Sequence, residues 1–364
     1  MINIGIVNLL ITIIRYGVLL LFASLFCIYC VRLNRNRAIF MGAMTLLSVI
    51  GTLFYDGGIL FLMILFATFT SERVDIKKIF TVAFYSLLIS HILVVLLCKA
   101  GILDDAIDIR YIGNYMGSFF SGNYVRHAFG FLVHNQLPLV FLIEYLLYIS
   151  IKGDKISFKL TLIIQIANYL FFKYFGSRMV FILIIFIGIL YCYQKYIANR
   201  LKKNTHPKFN LMCSITYPIC CLFSIFTAIF YLSSNKIWKF MDLLFNNRIS
   251  MGYDALRIYG ISLLGNGTSA AVYSATVNNT VDNGYLYMWF QRGLIVAVLV
   301  VLLWTYYSYK LSKNNPYIRI VFFVFAIENL FNAHFMSYKI IPFYCLMLHY
   351  AVNKRKRGKD YNKY

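Results

Sequence analysis

The sequence predicts an all-α polytopic membrane protein: about 11 transmembrane helices, N-terminus out and C-terminus in, with a large outer-face loop containing short helices. Three observations carry that expectation. Of 364 residues, 61% are hydrophobic and only 13% charged, roughly half the charge with which a soluble domain covers its surface. The apolar residues gather into runs close to the ~20 residues that a helix needs to cross a bilayer. The basic residues behind the formal net charge of +22 concentrate in alternate connections, as the positive-inside rule requires.

Taken in order, the runs lie at 10–31, 38–54, 57–70, 79–99, 129–149, 157–175, 179–197, 209–232, 284–309, 317–334 and 337–352. The first has no basic head and no small-residue cleavage site, so it reads as a span and not as a removable signal. The stretch 38–70 reads as two short spans reversing at Tyr55-Asp56-Gly57-Gly58, where two glycines permit the turn. Residues 1–364 are thus expected to form a single integral-membrane domain.

With the C-terminus inside, the cytoplasmic connections carry Arg32, Arg35 and Arg37; Arg73, Lys77 and Lys78; Lys152, Lys155 and Lys159; Lys195, Arg200, Lys202, Lys203 and Lys208; and Lys310, Lys313 and Arg319. The basic tail 353–364 then faces anionic lipid headgroups, and no nucleic-acid partner is expected. The outer side receives two long segments, about 100–128 and 233–283, and a tight turn from Lys173 to Arg178. None of the eight cysteines falls in the long hydrophilic interval, so no disulfide framework is expected, and Cys27-x-x-Cys30 reads as packing within a span.

In the first outer segment, Asp104, Asp105 and Asp108 read as a solvated turn. They lack matching metal ligands, the chain has no Asp-x-Asp, and no metal or cofactor is expected. Arg126 and His127 then precede a helix that carries His134, Asn135 and Gln136 one to two turns below the membrane surface. Polar groups at that depth face either a wet cavity or hydrogen-bonding partners on other helices. Lys173 reads as a snorkelling lysine. Arg178, beside Gly176 and Ser177, heads a span with no further charge until Lys195, which suits a ligand role.

In the second outer segment, Ile237 to Asn247 reads as an interfacial helix. Lys236, Lys239, Asp242 and Asn246 take one side and Ile237, Trp238, Met241, Leu244 and Phe245 the other. Arg248 to Leu264 reads as a second helix with Asp254 and Arg257, broken by Leu264-Gly265-Asn266-Gly267-Thr268, a turn that lets backbone approach a sugar or an anion. Asp282 and Asn283 stand at the mouth of the ninth run. Within the spans, Glu144 and Glu328, the latter followed by Asn329, Asn332 and His334, either form a proton or ion path or fix the bundle by hydrogen bonds.

Arg110, Arg126, Arg178, Arg248, Arg257 and Arg292 collect on the outer side against few carboxylates. Guanidinium is suited to bidentate phosphate recognition and keeps its charge when partly desolvated. Several of them with one carboxylate, such as Asp282, suit glycosyl transfer from a lipid pyrophosphate. The arginines neutralise the leaving group in place of a metal, and the carboxylate takes the proton of the attacking hydroxyl.

Short motifs in that order resemble Wzy-type O-antigen and capsular polysaccharide polymerases, relatives of the O-antigen ligases. Arg126-His-Ala-Phe-Gly-Phe-Leu-Val-His134-Asn135 resembles the pattern that closes their earlier outer loop. Gly176-Ser177-Arg178 is similar to their Gly/Ser-Arg helix opening, and Arg248 through Leu264-Gly265-Asn266-Gly267 to their large-loop stretch. Asp282-Asn-Gly-Tyr-Leu-Tyr, followed by Arg292-Gly-Leu-Ile, resembles the (His/Asp)-Asn-x-Tyr-Leu and Gly-Leu-Ile signature. The resemblance implies transfer of a growing glycan from undecaprenyl pyrophosphate to a lipid-linked repeat unit at the outer face of the bacterial cytoplasmic membrane. Membrane lipids, a chain-length regulator and a flippase would be the partners. It implies pyrophosphate contacts at Arg126, Arg178 and Arg248, then Arg257 and Arg292, and glycan contacts at Asn135, Asn266, Asn283 and Tyr285. Ligases carry a histidine where Asp282 stands, which favours the polymerase and leaves the base as either Asp282 or His134. A lipid-linked oligosaccharide flippase or other transporter is the main rival, but would be expected to show two pseudo-symmetric halves and short loops on both faces. An acyltransferase would need a nucleophile–base signature that the sequence lacks.

Overall fold

The computed structural model describes residues 24, 74–112, 122–131, 134–198, 207–245, 247–260, 262–263, 281–333, 335 and 337–353. The three runs read within 1–70, the turn at Asn266, His334 and tail residues 354–364 lie outside the described residues. The chain divides into two compact units, one drawn from Lys77–His206 and Asn315–Val324, the other from Pro207–Asn314 and Phe325–Tyr364.

The first unit runs α1 (Ile76–Lys99), a hairpin of β1 (Ile107–Ile112) and β2 (Gly122–His127), α2 (Gln136–Lys152), α3 (Phe158–Phe175) and α4 (Arg178–Cys192). A π-helical turn at Tyr193–Ala198 extends α4. The second holds α5 (Pro207–Phe230), α6 (Lys236–Leu244), α7 (Arg248–Tyr259), α8 (Gly284–Arg292), α9 (Leu294–Asn314) and α11 (Ile341–Asn353). Between α9 and α11 comes α10 (Pro316–Glu328), which begins in the first unit and ends in the second. Helix dominates, as expected. Among the described residues, five stretches are long and apolar enough to cross a membrane: Ile76–Lys99, Gln136–Lys155, Arg178–Ala198, Phe209–Phe230 and Leu294–Lys313. The chain is a helical membrane protein whose span count is set by these five and by what lies outside the described residues.

Three boundaries differ from the sequence reading, each for a local reason. The run 129–149 becomes helical only at Gln136, because Phe129 (φ 48°) and Gly130 (φ 83°) take left-handed backbone. The run 284–309 breaks at Gly293, whose φ of 89° ends α8 before α9 starts. The run 317–334 stops at Glu328, so α10 has 13 residues, about 20 Å against a hydrocarbon core of about 30 Å.

In the first unit α2 is the inner helix, with Leu142, Ile143, Leu146, Leu147 and Ile149 all buried. By contrast, α1 turns Val82, Ile89, Leu93 and Leu96 outward. An apolar face of that length suits hydrocarbon, where backbone groups must be satisfied within the helix itself. Across α1 and α2, His91 Nδ1 lies 2.8 Å from Glu144 Oε1, both side chains buried. Glu144 therefore hydrogen-bonds inside the bundle, the more ordinary of the two expectations for it. The hairpin was not read from the sequence, and its register pairs Asp108 with Arg126. Nor is Asp105 merely solvated: Oδ1 accepts from Phe129 N–H and Oδ2 lies 2.7 Å from His127 Nδ1.

The second unit is built on an aromatic core of Tyr217, Trp304, Phe325, Phe335 and Phe343. Trp304 Nε1 donates to Tyr344 OH, which donates to Phe335 O. Short α6 carries exposed Ile237, Phe240, Leu243 and Leu244, the apolar side expected of a helix lying at a membrane surface. Its expected polar side is corrected at Asp242, which turns inward. Asp242 Oδ1 accepts from Ile249 N–H and Ser250 N–H at 3.0 and 2.9 Å, capping α7 from the neighbouring helix.

Asp242→Ala is expected to destabilise the second unit by about 1–3 kcal/mol through those orphaned donors, read as a lowered Tm of the detergent-solubilised protein. The bonds to His127 and Phe129 have a pH signature. Burial alone would raise the Asp105 pKa, but hydrogen bonds from His127, Phe129 and Ala128 outweigh it and leave the carboxyl below its usual value. The stabilisation is accordingly present above about pH 4 and lost as pH falls through the lowered value. Amide exchange at Phe129, corrected for intrinsic rate, should accelerate only at the acid end.

Candidate functional site

The residues read as a pyrophosphate site divide between the two units. In the second, α7 and α8 pack at short range: a Cβ on Gly252 would meet Leu286 Cδ1 at 2.6 Å. Asn283 caps α8, its Oδ1 accepting from Tyr285 and Leu286 N–H while Nδ2 donates to Ser224 Oγ. Gly284 follows, because only hydrogen fits there. A Cβ would lie 2.7 Å from Asn329 Oδ1, and Gly284 N–H donates to Asn329 O. Tyr285 OH donates to Ala326 O in the buried interior. The glycan contacts expected at Asn283 and Tyr285 are therefore corrected: both side chains point inward and hold α8 against the end of α10.

That frame sets Asp282 beside Arg248. Arg248 opens α7 and is 7% exposed in its side chain, whereas Asp282 is 46% exposed, with Nη2 and Oδ2 3.2 Å apart. Arg248 Nε donates to Phe331 O at 2.9 Å and Nη1 to Phe245 O at 3.4 Å. Of the five N–H groups of a guanidinium, two have no hydrogen-bond partner among the described residues. Burial draws the Arg248 pKa below its usual value, opposed by the charges of Asp282 and Glu328. Guanidinium nonetheless stays cationic at neutral pH. Behind this pair, buried Glu328 feels the charges of Lys339 and Arg248. Asn329 Nδ2 donates to Phe325 O. That bond closes the end of α10 on itself, and it is the Asn329 carbonyl, accepting from Gly284 N–H, that ties α10 to α8; Lys339 belongs to the same polar cluster without any sequence signal beyond its charge.

The other two arginines of this unit are not gathered with Arg248. Arg257 lies nine positions along α7, about 14 Å and half a turn round, exposed and over the Tyr253 ring at 5.8 Å. Arg292 ends α8, roughly 13 Å along from Asp282, with Nε buried and lacking a hydrogen-bond partner among the described residues.

In the first unit, β2 packs on α3, and the Phe129 ring meets Phe175 at 5.5 Å. The strand end at Arg126 and His127 is thereby brought to the same end of the unit as the Gly176-Ser177-Arg178 turn. Arg126 is buried and Arg178 half-buried. His134 Nδ1 is buried, and Asn135 Oδ1 is buried with no hydrogen-bond partner among the described residues. Among those residues no group of three His, Cys, Asp or Glu could hold a metal.

Compared with protein-family models, curated proteins and solved structures, the chain matches none. Arg248→Met, which strands Phe331 O, is expected to cost about 1–3 kcal/mol. Asp282→Asn, which loses a half-exposed ion pair, should cost under about 1 kcal/mol. Thermal unfolding of the two variants in one detergent checks the order, and equal losses would contradict the anchoring of Arg248.

Proposed function

We propose that this protein is a polysaccharide polymerase of the bacterial cytoplasmic membrane, acting at its outer face without a metal. It transfers a growing glycan from undecaprenyl pyrophosphate to a lipid-linked repeat unit. Arg248 carries this reading: an anchored guanidinium with two N–H groups to spare, beside a half-exposed carboxylate, in the longest hydrophilic interval of the chain. Such a group binds pyrophosphate oxygens more strongly as negative charge develops on them, which lowers the barrier to departure. Arg126 and Arg178 are the anion ligands of the first unit, Arg257 and Arg292 secondary ones of the second, and Asp282 orients the Arg248 guanidinium.

The rival is a transporter of lipid-linked oligosaccharide. The buried His91–Glu144 pair between two apolar helices favours it, since paired titratable groups at such depth are how proton-coupled carriers are built. Deletion of the gene separates the two: single repeat units on the surface follow from a lost polymerase, and repeat units trapped on the inner leaflet from a lost transporter. In the complemented strain, Arg178→Lys should shorten the glycan, because a point charge does not reproduce a bidentate fork. Full-length chains from that variant would remove Arg178 from the anion site.

A further inference from the structure

A second cluster of reactive groups lies in the first unit, outside the arginine site. β2 ends at His127, and the chain turns back through Ala128 and Phe129 so that Asp105 faces both. Each Asp105 oxygen has a partner: Phe129 N–H donates to Oδ1 at 2.7 Å, and His127 Nδ1 lies 2.7 Å from Oδ2. An ionised carboxylate only accepts, so Nδ1 carries the proton and Nε2 presents its lone pair. Nε2 has no hydrogen-bond partner among the described residues, and the imidazole is 34% exposed. A histidine serving only to fasten the hairpin would be expected to engage both nitrogens or lie deeper.

The ring is held from other sides as well. The Phe129 ring lies 5.5 Å from it and 5.5 Å from Phe175, and Lys99 Nζ sits 4.8 Å from the Phe129 centroid. Phe129 reaches this position in left-handed backbone (φ 48°), a region that non-glycine residues rarely adopt. That strained turn delivers the Phe129 N–H to Asp105. A carboxylate that fixes the tautomer, a ring clamped by neighbours and an Nε2 with no partner among the described residues together make a preorganised general base.

We infer that His127, positioned by Asp105, is the base that deprotonates the acceptor sugar in this chain. The assignment rests on the glycosyl-transfer reading above and replaces both Asp282 and His134 in that role. The acceptor hydroxyl oxygen forms the new bond to the anomeric carbon of the donor glycan. The bond from that carbon to the pyrophosphate oxygen breaks, and its electron pair leaves with the lipid pyrophosphate. The hydroxyl proton passes to His127 Nε2. The imidazolium, stabilised by the Asp105 carboxylate, later returns the proton to water. Phe129 against Phe175 sets this base beside the turn that leads to Arg178, so the proton acceptor and one anion ligand share an end of the unit.

The experiment uses full-length protein in membranes from cells lacking the chromosomal copy, with elongation of a lipid-linked repeat unit as the readout. His127→Asn keeps an N–H for Asp105 but has no Nε2 lone pair. It is expected to fold like the parent and to lose about 100-fold or more in kcat with KM unchanged. His127→Ala should lose as much and recover at least roughly tenfold with added imidazole, which a merely structural histidine would not show. Asp105→Asn should lower kcat through the wrong tautomer. A wild-type rate in His127→Asn, or no imidazole rescue of His127→Ala, overturns the assignment. Should the parent protein itself fail to elongate the repeat unit, the glycosyl-transfer reading falls instead.

Discussion

A guanidinium sealed against a backbone carbonyl is the interaction on which the second unit depends. Helix α10 ends at Glu328, and the carbonyls of its last turn and of the following residues need donors in a setting poor in water. Phe331 O finds one in Arg248 Nε. The same side chain starts α7 and meets Asp282 just ahead of α8. One residue therefore ties three helix ends together, and its guanidinium is fixed as a by-product of solving a packing problem.

The surrounding polar groups follow the same economy. Asn283 caps α8 and reaches Ser224, Gly284 docks its N–H on Asn329 O, Tyr285 donates to Ala326 O, and Asp242 caps α7. In each case a polar side chain amid apolar helices satisfies a backbone group that a helix end or close approach has left open. The polar residues of the 280–330 stretch thus serve mainly to hold a buried arginine against a half-exposed aspartate.

The first unit solves a different problem, that of ending an apolar run early. Left-handed backbone at Phe129 and Gly130 delays α2 until Gln136 and frees a short segment to fold back on Asp105. The strain there is offset by two hydrogen bonds to one carboxylate, and the result is an imidazole aimed outward from a non-helical turn. The second unit thus presents an anchored guanidinium beside a carboxylate, and the first an imidazole held by one.

The membrane class, the helical character and most helix positions were legible in the residues, because apolar run length is a local property that a bilayer reads directly. The Gly176-Ser177-Arg178 start of α4 and the helical start at Arg248 could be read in the residues too. The pairing of Arg248 with Asp282, 34 residues away, could not, since a sequence fixes which side chains can form an ion pair but not which ones meet. For the same reason Asp105 looked like a solvated carboxylate until His127 and Phe129 were seen closing on it, and Asn283 and Tyr285 looked available until their polar atoms proved to be turned inward. Composition and periodicity determined the solvent and the elements. Only tertiary packing decided which of many arginines is anchored, which carboxylates are engaged and which polar atoms remain to face a substrate, because those depend on contacts between segments distant in the chain.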